Sequence, residues 1–382
     1  MKKVLLISLS FCLSCSFIGI HAEESELAQS AKGAYLMEYM SGKVIYKKNE
    51  TDKLYPASMT KMMGLLLIFE GLHQHKITMH DNVTTSSFAA SMGGSQVFLE
   101  PNEVMSVEDM LKAICIASAN DAMVAMGEKL EGTNDHFVKK MNEKAKELKL
   151  EKTNFTNATG LHDPNHYSCA KDMALLARAL LQVGGDELLK FTSTYDAYIR
   201  EDSESKFWLV NTNKLLKQYE GVDGLKTGFT AEALSCISVS AKRDNLRLIA
   251  VVMGEPTSKQ RNEEIKQMLD YGFSQYAQGL LYGQGTKFKS IDVENGKPNQ
   301  AKIIALKDAV YIFKKGEEPK EKNKEYVITK KNPPYKAKEA IGYLKITMSD
   351  NYSMEVPIGL DTNMDTLTYF DILKKTIREV FV

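Results

Sequence analysis

The sequence predicts an α+β fold: one antiparallel sheet with a helical lobe, then a small all-β domain and a C-terminal amphipathic helix. Three observations predict it. Strand-like segments lie near Tyr35 and again near Asn245, and helical segments fill the chain between them. After about Tyr282, short strands alternate with Gly, Pro and Lys turns. Near the C-terminus, apolar side chains recur at helical spacing.

The first predicted elements are a hairpin and a helix. Ser41-Gly42-Lys43 separates two strand-like runs, AYLMEYM and VIYKKN, which is typical of a hairpin. Residues 56–72, PASMTKMMGLLLIFEGL, are predicted to form a helix with an apolar body. A looped stretch follows at about residues 83–101, with Gly93 and Gly94 at its middle. The sequence leaves open whether this stretch is a mobile lid or a plain loop.

Helices fill the middle of this region, and strands return at its end. Helices are predicted over residues 106–117, 120–132, 135–148 and 170–183, with Ser106 and Asp109 suited to a capping box at the first. The runs ALSCISVSA and LRLIAVVMG flank a turn at residues 242–245 and predict a second hairpin, before a helix over 262–276. Strands at both ends of the region therefore predict one sheet assembled from both ends.

The N-terminus has the pattern of a secretory signal peptide. Lys2 and Lys3 precede a mostly apolar run at residues 4–20, and Ala22 precedes an acidic pair. Cleavage is expected near Ala22, although the length of the run leaves a retained membrane anchor as an alternative. The predicted parts are a signal peptide at 1–22, a main domain at 23–281, a small β domain at 282–360 and an amphipathic helix at 361–382.

Composition limits the class of protein. The chain has 382 residues, of which 43% are hydrophobic and 26% charged, as in globular proteins of two or three domains. Its formal net charge is zero, so no broad basic field favours a nucleic-acid partner. Beyond the signal peptide the cysteines are Cys115, Cys169 and Cys236, an odd number without CxxC spacing. We therefore expect the core, not a disulfide framework, to hold the fold together.

A serine and a lysine stand three apart at the head of the first helix. Ser58 and Lys61 would share one helix face, with Cβ atoms about 5–6 Å apart. Free backbone N–H groups and the positive end of the helix dipole favour a developing anion at that serine. A partly desolvated lysine near other cations can lose its proton and act as a base. By itself this spacing is common and also fits an ordinary helix cap with a solvated lysine.

Two further motifs make the spacing of Ser58 and Lys61 a specific signal. Ser118 and Asn120 form an SxN motif, and Lys226, Thr227 and Gly228 form a KTG motif just before the late hairpin. Class A β-lactamases and penicillin-binding proteins use SxxK, SxN and KTG in this order. The Asn120 amide can both donate and accept, which suits it to holding a peptide backbone.

With these motifs the chain resembles the serine-type D-alanyl-D-alanine carboxypeptidases, which are low-molecular-mass penicillin-binding proteins. The resemblance runs from about Ala34 to the C-terminus and includes the segments YPASMTKMM, SANDAMVAM, NTNKLL and VDGLKTGFT. It implies a penicillin-binding transpeptidase/β-lactamase-like catalytic domain. It also implies an enzyme that removes the terminal D-alanine from peptidoglycan stem pentapeptides through an acyl-enzyme and that is acylated by β-lactam antibiotics.

The resemblance also implies roles for individual residues. Ser58 would be the nucleophile and Lys61 its base, and Ser118 and Lys226 would relay a proton to the leaving amine. The substrate would be held by the remaining motif residues and by an arginine on the strand beside KTG, namely by Asn120, Lys226, Thr227, Gly228 and Arg247. Arg247 equally fits a solvated strand arginine. The backbone N–H groups of Ser58 and Phe229 would form the oxyanion hole.

Three other functions use related features of sequence. A class A β-lactamase would carry a deacylating glutamate in an ExxLN segment, and the nearest match, Glu151 to Asn154, lacks the leucine. An endopeptidase that cuts peptidoglycan crosslinks would share the active site, so the sequence leaves it open. An inert wall-binding protein is disfavoured because no motif position is missing. No metal site or cofactor is expected, since the histidines show no ligand spacing such as HExxH.

The C-terminal helix is predicted to associate with a membrane surface. Leu367, Phe370, Leu373 and Ile377 share one face, while Lys374, Lys375 and Arg378 can approach anionic head groups. The segment is too charged and short to span a bilayer. Docking of this helix on its own β domain is the alternative. The predicted location is the outer face of the bacterial cytoplasmic membrane, after export.

Overall fold

A computed structural model describes residues 27–201 and 203–381, so the predicted signal peptide lies outside the described residues. The first part of the fold contains these elements, in chain order: β1 Gly33–Glu38, β2 Val44–Lys48, α1 Lys61–His73, β3 Asn82–Thr84, α2 Ser87–Ala90, β4 Val104–Ser106, α3 Val107–Ile116, α4 Asn120–Glu131, α5 Asn134–Glu147, α6 Ala170–Thr192, β5 Asp196–Ile199, β6 Phe207–Val210, α7 Leu215–Gln218, β7 Val222–Thr230, β8 Leu234–Arg243, β9 Leu246–Glu255 and α8 Ser258–Gln275.

The main sheet joins strands from both ends of this part. Its order is β2-β1-β9-β8-β7, and every pairing is antiparallel. Both faces are covered, which explains why β9 is apolar almost throughout. Ile249, Val251 and Met253 belong to the core shared with the helical lobe, whereas alternate residues pack in the core that contains α8. The prediction of one sheet built from both ends is confirmed.

The helical lobe lies on one face of this sheet. Helix α1 is buried along nearly its whole length, as expected for a helix that is apolar on all sides. Ser106 caps α3, because its Oγ accepts the Asp109 backbone N–H at 3.1 Å. The Asp109 side chain turns to Lys112 instead of closing a capping box. Helix α6 contains a non-helical residue, Gly185, which divides it near its C-terminal third.

A short hairpin that the sequence analysis missed projects from this lobe. Strands β5 and β6 pair antiparallel, with Tyr198 opposite Trp208. Ile199 and Leu209 are buried in the main core, while Tyr198 and Trp208 are exposed on the other side. Each strand has only four residues, too few for a clear alternating pattern in the sequence.

The second part of the chain is a small β domain. Its elements, in chain order, are β10 Tyr276–Tyr282, β11 Lys287–Asp292, β12 Gly296–Lys297, β13 Gln300–Ala305, β14 Ala309–Lys314, β15 Glu321–Ile328, β16 Gly342–Met348, β17 Ser353–Leu360, β18 Asp365–Thr366 and α9 Tyr369–Phe381. A five-stranded sheet has the order β11-β13-β17-β16-β15, and β10 pairs with β14. Residues such as Ile303, Leu344 and Ile358 fill its core.

Both predicted boundaries of the β domain need correction. The domain begins at Tyr276, because β10 continues directly from α8 and pairs with β14, so the predicted start at residue 282 is late. The C-terminal helix begins at Tyr369, not at residue 361. Met364 is fully buried in the β-domain core, and β18 pairs with β12. In the described residues no helix is both long and apolar enough to cross a bilayer.

Candidate active site

Ser58 and Lys61 are in direct contact. Ser58 lies in a 3-10 turn, Ala57–Thr60, that leads into α1, and Lys61 is the first α-helical residue. Side chains at positions i and i+3 eclipse in a 3-10 helix, which brings these two closer than an α-helix would. The Lys61 Nζ lies 2.9 Å from the Ser58 Oγ and donates a hydrogen bond to it. The pairing that the spacing predicted is therefore present in the structure.

Burial suits Lys61 to act as a base. Its side chain is fully buried, and its Nζ also donates to the Thr159 carbonyl at 2.8 Å. Desolvation and the nearby Lys226 charge hold the pKa of Lys61 well below its ordinary value, against the opposing effect of Asp121. A lysine with a lowered pKa has a larger neutral fraction, which can take a proton from Ser58.

The Thr159 carbonyl is positioned by a tight loop against the 3-10 turn. The Asn157 Oδ1 accepts the backbone N–H groups of Thr159 and Gly160, at 3.1 and 2.7 Å. Gly160 has a φ of +87°, and a Cβ there would lie 1.8 Å from the Ala57 carbonyl oxygen. Only glycine fits this position, because the loop backbone runs directly against the turn that carries Ser58.

The KTG motif passes along the same turn on strand β7. A Cβ on Gly228 would lie 2.7 Å from the Pro56 carbonyl oxygen and 3.2 Å from the Ser58 nitrogen. The absence of a side chain therefore lets β7 approach the serine backbone closely. Thr227, which precedes Gly228 in β7, donates a hydrogen bond from its Oγ1 to the Thr212 Oγ1 at 2.7 Å.

Lys226 is a second buried cation beside this motif. It is 1% exposed, and burial lowers its pKa to about 8. Burial raises the pKa of the Cys115 thiol to about 12, and the Lys226 charge opposes that rise. Cys115 lies near the end of α3, three residues before Ser118, so the Lys226 charge acts on the helix that leads into the SxN motif.

The SxN residues occupy the turn between α3 and α4. Ser118 is nearly buried and has a φ of +65°, an uncommon conformation for a serine. Asn120 begins α4, and its Nδ2 donates to the Gly93 carbonyl at 2.6 Å. The Asn120 Oδ1 is buried and accepts no hydrogen bond in the described part of the chain. A substrate N–H is the kind of donor that this oxygen lacks.

The glycine-containing stretch after β3 is a docked loop. The buried Asp121 carboxylate accepts the backbone N–H groups of Val97 and Leu99. From the other side, Arg200 donates to the Val97 and Phe98 carbonyls at 3.0 and 3.3 Å. Arg200 also pairs with Glu103, at 2.6 Å. Because both the donors and the acceptors of this short segment are engaged, the loop is tied down next to Asn120.

Arg247 does not join the cluster, so its predicted role is wrong. It is opposite Lys242 at the turn end of the late hairpin, whereas Gly228 pairs with Cys236 at the other end of β8. Six residues of strand separate these points, about 20 Å. The Arg247 guanidinium is committed to an ion pair with Asp223, 2.7 Å away. Sequence adjacency to the KTG strand pair did not show at which end of the sheet the side chain lies.

Arg261 is the arginine that the structure places near the motif. It lies in the first turn of α8, is 6% exposed, and its Nη1 donates to the Cys236 carbonyl at 3.5 Å. Burial lowers its pKa to about 10, and its charge contributes to the lowered pKa of Lys226. The segment SKQRNEEIKQ gives no signal of this, because it has the composition of an ordinary solvated helix start.

His166 is a second residue whose part the sequence did not indicate. The Thr156 backbone N–H donates to its Nδ1 at 3.1 Å, so the ring proton is on Nε2, which lies 2.7 Å from the Thr60 Oγ1. Burial lowers its pKa to about 4 and keeps the ring neutral. The ring therefore links the loop that carries Thr159 to the turn that carries Ser58. The described side chains include no group of three His, Cys, Asp or Glu residues able to hold a metal ion.

Comparison with known proteins identifies relatives over most of the chain. Residues 20–257 match the family model described as D-alanyl-D-alanine carboxypeptidase, and residues 276–366 match the C-terminal domain of penicillin-binding protein 5. The carboxypeptidase DacF of Bacillus subtilis is 46% identical over 356 residues, which is 93% of this chain and 91% of that protein.

Solved structures agree with this result. Penicillin-binding protein 5 of Haemophilus influenzae superposes with a TM-score of 0.72 at 32% identity, covering 88% of this chain and 98% of that one. Penicillin-binding protein D2 of Listeria monocytogenes, solved in its ampicillin-bound form, gives a TM-score of 0.55 at 30% identity, covering 64% of this chain and 97% of that one. The domain that matches the C-terminal model begins at Tyr276, where the structure starts the β domain.

Proposed function

The chain belongs to the D-alanyl-D-alanine carboxypeptidase family, and from that premise we propose that it hydrolyses the terminal D-alanyl-D-alanine bond of peptidoglycan stem peptides through an acyl-enzyme on Ser58. The observation that carries this proposal is the contact between the Ser58 Oγ and the Nζ of the fully buried Lys61, at 2.9 Å. A serine hydroxyl needs an adjacent base to become a nucleophile, and Lys61 has the burial and the lowered pKa of one.

Acylation begins when the Ser58 Oγ attacks the carbonyl carbon of the penultimate D-alanine. The hydroxyl proton passes to the Lys61 Nζ, and the negative charge on the carbonyl oxygen is stabilised by the backbone N–H groups of Ser58 and Phe229. Each donor of such a pair typically contributes about 2.7–4 kcal/mol of transition-state stabilisation. The close approach of β7 at Gly228 to the Ser58 nitrogen supports the pairing of these two N–H groups.

Collapse of the tetrahedral intermediate breaks the bond between the carbonyl carbon and the terminal D-alanine nitrogen. The leaving amine needs a proton, and the one that Lys61 took from Ser58 reaches it through the Ser118 hydroxyl, with Lys226 assisting this relay. Water then adds to the ester, the bond to the Ser58 Oγ breaks, and that oxygen regains a proton. The products are free D-alanine and a stem peptide shortened by one residue.

Polar groups around the serine are proposed to hold the substrate. Asn120, whose Oδ1 lacks a donor, accepts a backbone N–H of the stem peptide. When substrate binds, the Thr227 hydroxyl turns its proton from the Thr212 Oγ1 to the terminal carboxylate of the stem peptide. Arg261, in place of Arg247, supplies the positive charge that this carboxylate needs, because it lies beside the strand position that pairs with Gly228.

Labelling and product analysis test the proposal together. A fluorescent penicillin should acylate the wild-type chain at Ser58 and leave Ser58→Ala unlabelled, while Ser41→Ala, a serine change in the first hairpin, should label normally. Muropeptides incubated with the enzyme should lose the mass of one D-alanine from pentapeptides. Labelling of Ser58→Ala would refute the nucleophile, and splitting of crosslinked dimers without loss of D-alanine would favour an endopeptidase.

We also propose that the chain is exported and held at the outer face of the cytoplasmic membrane by α9. Tyr369 and Phe370 are 74% and 72% exposed, and Leu373 and Ile377 are also exposed. This exposure argues against docking of the helix on the β domain. Near the start of the helix, Asp371 forms an ion pair with Lys297 of the β domain at 2.7 Å. Exposed apolar side chains on a charged helix are typical of an interfacial segment.

The corrected boundary makes this second proposal testable. Deletion of residues 369–382 should leave a fully active enzyme that no longer sediments with membranes. Deletion of residues 361–382, which was the predicted segment, also removes the buried Met364 and should destabilise the β domain. A full-length protein found wholly in the soluble fraction would contradict the membrane role of α9.

A further inference from the structure

The outer face of the β5–β6 hairpin carries an aromatic pair that packing does not explain. Trp208 and Tyr198 lie opposite each other across the two strands and are 57% and 41% exposed. Their neighbours Ile199 and Leu209 point to the other side and are buried in the main core. The hairpin is therefore anchored by its inner face, and the large rings are left on a solvent-facing surface. Contiguous exposed apolar surface is one mark of an interaction site.

Polar groups hold and flank these rings. The Trp208 Nε1–H donates to the Asp196 Oδ2 at 3.2 Å, which sets the orientation of the indole. The Lys206 Nζ lies 4.1 Å from the centroid of the Tyr198 ring. The surface thus combines the Trp208 indole ring with a carboxylate at its edge and an ammonium group over the neighbouring Tyr198 ring. Fixed rings bind with less loss of side-chain entropy than mobile ones.

This combination fits a sugar polymer. A pyranose ring has an apolar face of C–H groups that packs on an aromatic ring, and hydroxyl and amide groups around its rim that take hydrogen bonds. Tyr and Trp rings offer large amphipathic contact areas of this kind. Sites for such ligands combine aromatic walls with a few placed polar groups.

The hairpin is directly connected to the catalytic cluster. Strand β6 ends at Val210, and the chain then runs on to Thr212, whose Oγ1 accepts a hydrogen bond from the Thr227 Oγ1 at 2.7 Å. Four residues separate Trp208 from Thr212, a distance of at most about 14 Å along an extended chain. An extended peptide of five residues spans up to about 17 Å. A stem pentapeptide with its C-terminus at Thr227 can therefore place its sugar end at the aromatic pair.

We propose that the outer face of the β5–β6 hairpin, centred on Trp208, is a subsite for the glycan strand that carries the stem peptide. The inference rests on the proposed carboxypeptidase function and adds to it a preference for polymeric substrate. Acyl transfer still occurs at Ser58, and Trp208 acts only by holding the polymer. Loss of the subsite therefore affects the use of peptidoglycan and leaves the use of a short free peptide unchanged.

Binding can be measured directly because the chain has a single tryptophan, Trp208. Peptide-free glycan strands, prepared by amidase treatment of peptidoglycan, should change the intrinsic fluorescence of the wild-type protein in a saturable way. Dextran of similar length is the control polymer. A fluorescence that stays constant with glycan strands, or that responds equally to dextran, would overturn the proposal. A change that depends on protein concentration without glycan would instead assign the face to a second copy of the chain and would also overturn it.

Kinetics provide the second arm. Trp208→Ala should lower kcat/KM for insoluble peptidoglycan by about threefold to tenfold, the effect of losing one aromatic contact. Its kcat/KM for a soluble peptide ending in D-alanyl-D-alanine and its penicillin acylation rate should stay within about twofold of wild type. Trp208→Phe should restore most of the activity on peptidoglycan. Leu280→Ala, which removes an equally exposed apolar side chain from β10, is the matched control.

The outcomes separate the two proposals. Equal loss on both substrates would show that Trp208 supports the catalytic fold, and unchanged activity on peptidoglycan would show that no glycan subsite exists there. If the wild-type enzyme released D-alanine from neither substrate, the proposed function itself would be wrong. Fluorescence binding of glycan strands by such an inactive protein would still support the subsite.

Discussion

Replacing Gly160 by alanine should disable the enzyme through backbone displacement, although residue 160 carries no reacting group. The added Cβ would lie 1.8 Å from the Ala57 carbonyl oxygen and 2.9 Å from the Ser58 nitrogen. Ordinary contact begins at 3.4 Å, so the closer pair is about 1.6 Å too close. Both neighbours are backbone atoms, which have no alternative rotamer. The loop or the 3-10 turn must therefore move.

The loss of stability expected for Gly160→Ala has two contributions, a conformational cost and a steric clash. A left-handed φ of +87° costs alanine about 1–2 kcal/mol, and overpacking against backbone costs a further ~1–3 kcal/mol. Movement of the loop also shifts the Thr159 carbonyl, which accepts from Lys61, or the turn that carries Ser58. A misplacement of about 1 Å can reduce a catalytic rate by about 10²-fold. We expect the rate constant for acylation by penicillin to fall by at least this factor.

A second glycine provides the control. Gly132 has a nearly equal φ of +79°, but no atom lies within 4 Å of its hypothetical Cβ, so Gly132→Ala carries the conformational cost without the clash. Stopped-flow acylation and thermal unfolding of both variants separate the two terms. The clash should lower the Tm of Gly160→Ala by roughly 2–12 °C more than that of the control. Acylation of Gly160→Ala at the wild-type rate, with a Tm equal to that of Gly132→Ala, would refute the argument.

Three further predictions concern charged and titratable groups. The acylation rate should rise with pH as Lys61 loses its proton and fall above about pH 8 as Lys226 loses its charge. Because the Lys226 charge lowers the pKa of Lys61, Lys226→Gln should move the rising limb of the pH profile to higher pH. A shift to lower pH would contradict this coupling between the two lysines. Burial lowers the pKa of His166 to about 4 in the folded state, so between about pH 6.5 and 4 only the unfolded state takes up a proton at this residue. The free energy of unfolding in urea should therefore fall on acidification through that range, and His166→Gln should reduce this pH dependence. An unchanged pH dependence in the variant would assign the effect to other groups. Arg261→Ala should reduce kcat/KM for a D-alanyl-D-alanine peptide by about 10–100-fold, as expected for loss of a charge-assisted hydrogen bond. Arg247→Ala, which breaks the ion pair with Asp223, should reduce stability with little effect on kcat/KM. The reverse result would assign the substrate carboxylate to Arg247.

The sequence contained enough to predict the chemistry of the site. Ser58 and Lys61 are three residues apart, and any helical turn places such a pair on one face, so their contact did not depend on the remainder of the fold. The hairpin near Ser41 and the helix capped by Ser106 were predicted from local turn and capping signals. The resemblance to the family joined the SxN and KTG motifs to that pair, and the approach of Gly228 to Ser58 agrees with it.

Other features depended on contacts between residues far apart in the chain. The domain boundaries at Tyr276 and Tyr369 are set by strand pairing and by burial of Met364, neither of which has a local pattern. The short β5–β6 hairpin has too few residues for a periodicity, although it carries the exposed Trp208.

Order and local spacing along the chain therefore determined which residue types meet at the candidate site, because a helical turn or a strand fixes neighbours within a few residues. Only the tertiary structure decided the charges and pKa values of the residues in this site. Lys61 can act as a base because distant segments bury it and place the Lys226 charge nearby. Likewise strand register puts Arg247 at the far end of the sheet, whereas the packing of α8 against the sheet puts Arg261 near the KTG motif. Burial and register arise from long-range packing, which no short stretch of sequence specifies.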